Sequence, residues 1–129
     1  MASRTPTKLI HPDRDRLRIV TVLGALSDPV RLAIVARLAD IGEGGEVDCT
    51  TLVVPVSKST RSGHCKMLRE AGVIYQRDEG TRRLNRLRRD DLDARFPGLL
   101  DLAIPQGRDV IAGWRPRVTD PTHVGSASE

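Results

Sequence analysis

Sixteen consecutive residues, Ser57-Lys-Ser-Thr-Arg-Ser-Gly-His-Cys-Lys-Met-Leu-Arg-Glu-Ala-Gly72, leave this chain few ways to fold. The Ser57 hydroxyl can accept a bond from a first-turn N–H, and Gly72 can take the left-handed conformation that ends many helices. The stretch therefore reads as one short helix. Cys65 and Leu68 fall on one face, with His64 and Met67 beside them, and Lys58, Ser59, Ser62 and Gly63 fall on the other, toward the N-terminal end. That second face is small, polar and basic. It can approach a phosphate backbone and present hydrogen bonds to base edges. A merely solvated face would look similar in isolation, so the context must decide.

The charge distribution supplies part of that context. The chain carries a net charge of +4, but residues 57–89 hold ten Lys and Arg against three acids, a local +7 that leaves the remainder at −3. A basic segment in an otherwise mildly acidic chain points to a polyanionic partner. Only Tyr75, Phe96 and Trp114 are aromatic, which argues against a stacking surface for single strands. A chain of 129 residues suits one domain with a modest core that dimerisation would help. There is no apolar run of membrane-spanning length and no signal peptide, so the expected compartment is the cytosol. Two cysteines do not make a secreted disulfide framework.

Taken in order, residues 1–12 (with Arg4, Lys8 and two prolines) read as a flexible arm. Asp13 to Leu26 reads as a helix with Leu17, Val20 and Leu23 as its apolar stripe, joined by Ile19 and Leu26. Ser27-Asp28-Pro29 restarts a second helix that runs to about Asp40, with Val30, Ile34, Val35 and Leu38 facing inward. The glycines between Ile41 and Val47 predict a loop or a very short strand. Asp48 would cap a short helix over Cys49–Val54, ended by Pro55 and followed at once by the 57–72 helix. Two short helices at so tight a turn form a helix-turn-helix, with the second as reader. Val73–Tyr75, a turn at Asp78–Thr81 and a return over Arg82–Arg88 predict a basic β-hairpin. Asp90-Asp91 would cap a helix ending at Arg95, and Leu99–Ile104 forms an apolar helical patch suited to a dimer seam or to ordinary core packing. Val110, Ile111 and Trp114 would dock locally. The chain then divides into an arm (1–12), a mainly α domain with a small β-hairpin (13–104) and a partly disordered tail (105–129).

This order of elements is that of a winged helix-turn-helix domain. Ala25-Leu-Ser-Asp-Pro-Val-Arg-Leu-Ala-Ile-Val35 resembles the opening of bacterial ArsR-type repressors, and Ser57-Lys-Ser-Thr-x-Ser-x-His-x-Lys-x-Leu-Arg-Glu-Ala-Gly-Val73 resembles their recognition helix. Gly80-Thr-Arg-Arg matches their wing tip, and the resemblance spans roughly residues 15–104. It implies a homodimeric repressor on double-stranded DNA, with one recognition helix in the major groove of each half of a palindromic operator. It places Lys58, Ser59, Ser62 and Gly63 on base edges, and Ser57, Lys66, Arg69, Arg77, Arg82 and Arg83 on phosphates. Three positions depart from the pattern. Arg61 stands where an apolar residue is usual, Gly63 where histidine is frequent, and Cys65 where a large apolar residue is frequent.

Many relatives of this kind sense metals, but the familiar ligand sets are missing. Cys49 stands alone in Glu46-Val-Asp-Cys-Thr-Thr51, and the closing helix offers aspartates without histidine. His11, His64 and His123 are scattered. The expectation is therefore no cofactor and no metal. Cys49 and Cys65 lie on elements that should pack together, so a regulatory disulfide is open beside the simpler reading of two small buried hydrophobes. No nucleophile–base pair, phosphate-cradling glycine loop or paired catalytic carboxylates can be found, so an enzyme is not expected. The alternative to a repressor is a winged-helix interaction module, the partner in a heterodimer, whose departures at 61, 63 and 65 weaken DNA reading.

Overall fold

The computed structural model describes residues 9–42 and 44–114. Arg4, Lys8, His123 and the expected tail beyond Trp114 lie outside the described residues. Among the described residues, five α-helices and one three-stranded antiparallel sheet make up the fold. They are α1 (Ile19–Leu26), α2 (Pro29–Ile41), β1 (Val47–Asp48), α3 (Lys58–Ala71), β2 (Ile74–Glu79), β3 (Arg82–Leu87), α4 (Arg89–Arg95) and α5 (Leu99–Gly113).

The expected single helix over 13–26 is broken. Arg14–Arg16 form one 3-10 turn, and Leu17 and Arg18 are extended before α1 begins. Leu17, almost wholly buried, docks over Gly72, where a β-carbon would meet its side chain at 2.1 Å. Gly72 also has a φ of +89° and closes α3, so one glycine ends the helix and admits the strap. Because α1 starts late, its inward face is Val22, Ala25 and Leu26, while Ile19, Val20 and Leu23 remain exposed. The stripe read from the sequence was thus right at Leu17 and Leu26 and displaced at the other positions.

Residues 9–12 are fastened to the fold. The Gln76 N–H donates to His11 Nε2 at 2.9 Å, and Arg88 Nη1 donates to the Pro12 carbonyl at 2.8 Å. β2 is an edge strand, since the sheet order is β1-β3-β2, and His11 takes up one of its edge N–H groups. Burial, with Arg69 and Arg88 nearby, lowers the His11 pKa, in keeping with a neutral acceptor.

Asp28 caps α2 by accepting from the Val30 and Arg31 N–H groups, with Pro29 in the first turn. Ala33, Ile34, Val35, Ala36 and Leu38 are buried. α5 lies along α2 in the most extensive helix–helix contact of the fold. It continues through Pro105 to Gly113, so a division at residue 104 would cut a helix. Pro105 and Asp101 are both exposed, which leaves the carbonyl freed by the missing proline N–H accessible to water. Of the apolar patch at 99–104, Leu100, Ala103 and Ile104 are buried in the core and only Leu102 is largely exposed.

The short helix expected over Cys49–Val54 is a three-residue 3-10 turn, Cys49–Thr51, capped by Asp48 accepting from the Thr50 N–H. Four of the six residues in that stretch are β-branched (Thr50, Thr51, Val53, Val54), which disfavours longer helix. The hairpin turns at Gly80-Thr81 with Glu79 opposite Arg82. β1 adds a third strand through Val47 opposite Asn85 and Asp48 opposite Leu84.

Asp90 and Asp91 lie in the first turn of α4, and Arg88 is its N-cap, with no side-chain capping bond. Asp91 is instead a junction. It accepts from Arg14 Nε at 2.6 Å, the Tyr75 hydroxyl at 2.7 Å and Arg88 Nε at 2.8 Å. The Arg88 side chain is 2% exposed, and its guanidinium also stacks 4.4 Å from the Tyr75 ring.

Two substitutions test this frame. A β-carbon at Gly107 would lie 2.3 Å from the Leu32 carbonyl oxygen on α2. Backbone cannot yield as a side-chain tip can, so Gly107→Ala should destabilise by about 1–3 kcal/mol in denaturant titration, despite alanine's better helix propensity. For Asp91, burial raises the pKa, but bonds from Arg14, Tyr75 and Arg88 outweigh it and hold the carboxyl at about 2. Its ionised form therefore favours the fold. That stabilisation is complete above about pH 4 and is lost as pH falls toward 2. Asp91→Asn should lose about 2–3 kcal/mol at pH 7, and the gap to wild type should close between pH 4 and pH 2 in acid-unfolding curves.

Candidate nucleic-acid interface

α3 is held by its buried face. Cys65 and Leu68 are fully buried and Ala71 nearly so, on the side that meets the core. Ser57 caps the helix by accepting from the Thr60 N–H at 3.2 Å. Lys58, Ser59, Ser62, Gly63 and Lys66 are all exposed. Ser59, Ser62, Gly63 and Lys66 follow helical spacing and make one continuous outward strip. A β-carbon at Gly63 would meet nothing within 4 Å, so this glycine is not required by packing. Met67 is half exposed rather than part of the buried face, and His64 Nδ1 sits 3.0 Å from Arg31 Nη1 of α2.

The arginines assigned to phosphates are placed differently from one another. Arg69 is buried and donates to Gln76 Oε1 at 2.8 Å, so it faces inward rather than toward a ligand. Arg77 is exposed but grips Glu46 through two nitrogens at 2.8–3.0 Å and reaches Glu79 at 3.3 Å. This pairing raises the Arg77 pKa and lowers that of Glu46. Arg83 holds Asp78 at 2.8 Å, and Arg82 lies 3.6 Å from Asp48. Among the described residues, Lys58 and Lys66 have no acidic partner within salt-bridge distance.

Beneath this surface runs a buried polar chain that the sequence reading missed. Arg69 donates to Gln76, Gln76 Nε2 donates to Asn85 Oδ1 at 2.7 Å, and Asn85 Nδ2 donates to Cys49 Sγ at 3.3 Å. Cys49 Sγ in turn lies 3.2 Å from Cys65 Sγ, which returns the chain to α3. Gln76 and Asn85 stand directly opposite each other across the hairpin. Counting outward from the two-residue turn at Gly80-Thr81 would have paired them. Both thiols are free and buried. The Cys49 pKa is lowered, chiefly by the hydrogen bond it shares with Cys65, with Asn85 and the charge of Arg61 adding to this against the effect of burial. Cys65, the more deeply buried thiol, is pushed up by that shared bond and by burial. Among the described residues no cluster of three His, Cys, Asp or Glu could hold a metal ion, and no single helix is long and apolar enough to cross a membrane.

A capped helix presenting a small polar face, preceded by a tight turn and followed by a hairpin, makes this a winged helix-turn-helix protein. No family model matches the chain. It is 35% identical over 89 residues to YceK, an uncharacterised HTH-type transcriptional regulator of Bacillus subtilis (strain 168), an alignment covering 67% of this chain and 86% of the relative. A crystal structure of a possible transcriptional regulator for arsenical resistance superposes with a TM-score of 0.50 at 26% identity, covering 86% of this chain and all of that one. The chain belongs to the HTH-type transcriptional regulators, and its role is regulatory rather than enzymatic.

The open surroundings of Gly63 give a direct check on the outward strip. Gly63→Ala should stabilise the protein by about 1 kcal/mol, raising Tm by roughly 4 °C. A Tm unchanged or lowered would show that Gly63 has a packing role after all.

Proposed function

We propose that this protein is a homodimeric, ArsR-type repressor that reads a palindromic operator with α3 and rests the β2–β3 wing on flanking phosphates. The observation that carries the reading is the outward strip of Ser59, Ser62, Gly63 and Lys66, with Lys58 at the helix start, on a helix whose opposite face is locked into the core. Short polar side chains let the helix backbone approach base edges, Lys66 meets the sugar–phosphate rail, and Lys58, expected on a base edge, is also free to meet a phosphate. The likeness to a possible transcriptional regulator for arsenical resistance supports the ArsR assignment. Ile19, Val20 and Leu23 on α1 and Leu102 on α5 keep apolar side chains exposed, which supports a self-association face. Such a dimer would set its two α3 helices about one turn of DNA apart. In this reading Arg69 supports the helix from within, and Ser57 acts as its cap.

The test is binding of the purified protein to a duplex from its own upstream region, by anisotropy and footprinting at several salt concentrations. Lys58 and Lys66 are free to meet phosphate, while Arg77, Arg82 and Arg83 must first release carboxylates. About four to eight phosphate contacts per dimer are expected, giving a log–log salt slope of about −4 to −7. Lys58→Ala should weaken binding and reduce the slope by about 1–2 for the two subunits. The protected region should be two-fold symmetric, and the complex should contain two chains by sedimentation. A salt-independent affinity, or a protein that ignores every duplex until a second protein is added, would replace this reading with the interaction module.

A further inference from the structure

The departures from the recognition-helix pattern at positions 61 and 65 are connected in space. Cys65 lies one helical turn after Arg61, and its sulfur is 3.2 Å from that of Cys49 on the 3-10 turn before α3. The positive charge of Arg61 acts on both thiols, and its Nε is buried without a hydrogen-bond partner. A cavity of about 160 Å³ reaches Cys49 from outside, between Lys58, Arg61 and Ser62 on α3 and Thr81 and Arg83 on the wing. Two facing thiols, a cation with no acidic partner within salt-bridge distance among the described residues and a cavity that reaches Cys49 make more than a packing pair.

We propose that Cys49 and Cys65 form a peroxide-responsive dithiol–disulfide switch that controls the grip of α3 on DNA. The proposal rests on α3 being the DNA-reading helix. Cys49 is the attacking sulfur. It faces the cavity, accepts from Asn85 Nδ2 and sits in the field of Arg61, which make it the readier of the two sulfurs to ionise. The thiolate displaces hydroxide from hydrogen peroxide. This forms a Cys49 S–O bond as the O–O bond breaks, giving a sulfenic acid, and the proton released by the Cys49 thiol converts the hydroxide to water. Cys65 then attacks the Cys49 sulfur, forming the S–S bond and expelling the sulfenic oxygen, which leaves as a second water with the Cys65 proton. Two thiols are oxidised and one peroxide is reduced to two waters.

The link to DNA runs through Arg61 and the turn. A disulfide requires the sulfurs to close from 3.2 Å to about 2.05 Å, which draws the Cys49–Thr51 turn onto α3. It also removes the negative charge that ionised Cys49 places in the field of Arg61. A buried guanidinium nitrogen with neither partner nor counter-charge is unfavourable, so Arg61 turns outward beside Lys58 and Ser62, onto the strip that meets the bases. The Asn85 bond to Cys49 weakens in the same step, loosening the tie between α3 and the wing.

The full-length protein is treated with stoichiometric hydrogen peroxide, alkylated under denaturing conditions and analysed by peptide mass spectrometry, with operator binding measured in parallel. An intrachain Cys49–Cys65 crosslink, loss of two mass units and binding at least ten-fold weaker, restored by dithiothreitol, are the expected results. Cys49→Ser and Cys65→Ala should each bind as the reduced protein does and ignore peroxide. Arg61→Leu should fold, because a leucine suits this half-buried position, and should form the disulfide at least several-fold more slowly. A protein that binds DNA but forms no crosslink, or forms it without change in affinity, overturns the switch and leaves the DNA reading intact. A reduced protein that binds no duplex while the crosslink still forms overturns the DNA reading, and the switch as a control of it.

Discussion

Asn85 is fully buried in the middle strand of the sheet, and its amide is where α3, the wing and the preceding turn are joined. Its oxygen takes the Gln76 amide, and its nitrogen serves the Val47 carbonyl, the Arg83 carbonyl and the Cys49 sulfur. An unsatisfied amide in such a place would be costly, and that cost fixes geometry. Gln76 must present its carbonyl to Arg69, and Arg69 must point inward from α3, so the angle between α3 and the wing is set by hydrogen bonds as well as by apolar contact. Apolar packing at Cys65 and Leu68 would tolerate small rotations of the helix. A chain of directional bonds at both ends of its buried face does not.

A second polar junction holds the other side of the sheet. Asp91 gathers Arg14 from the N-terminal strap, Tyr75 from the edge strand and Arg88 from the end of the hairpin. Arg88 is almost wholly buried and also bonds the Pro12 carbonyl, so the strap, the sheet and α4 are tied through one guanidinium. Without its carboxylate, that cation would be buried with no counter-charge. The strap covers the edge of β2 and seats Leu17 over Gly72, the residue that ends α3. The two junctions therefore act on the same helix, one along its buried face and one at its C-terminal stop.

The caps of α2 and α3, the α2 stripe, the hairpin and the outward strip of α3 were legible in the sequence because each depends on local spacing or on one residue's backbone preference. Ser57, Gly72, Asp28 and Pro29 do what their chemistry dictates wherever they stand. The failures were tertiary. Nothing local distinguishes Val22 from Val20 as the inward residue of α1, because the phase of that helix is set by Leu17 docking over Gly72 from fifty-five residues away. Pro105 reads as a stop, yet the close approach of Gly107 to Leu32 rewards continuation along α2 and leaves the proline on the wet side. Arg69 reads as a surface cation, and only the cross-strand pairing of Gln76 with Asn85 supplies the inward acceptor that buries it.

The same logic changes what the local charge of +7 means. Arg69 and Arg88 lie inside the protein, and Arg77, Arg82 and Arg83 on the wing each face a carboxylate. Exposed ion pairs of this kind are worth about 0–1 kcal/mol each, so a phosphate can replace a carboxylate, but the net gain is smaller than for an unpaired cation. Glu46, Asp48, Asp78 and Glu79 would then lie near the DNA backbone and oppose it. In the proposed reading the wing would add less affinity than its arginines suggest, and the balance would fall on α3, whose lysines have no acidic partner among the described residues. If the proposed α3 reading holds, such a regulator would concentrate its DNA affinity in one short helix, and a small shift of that helix would have a large effect on binding. The buried thiols and Arg61 lie along that same helix.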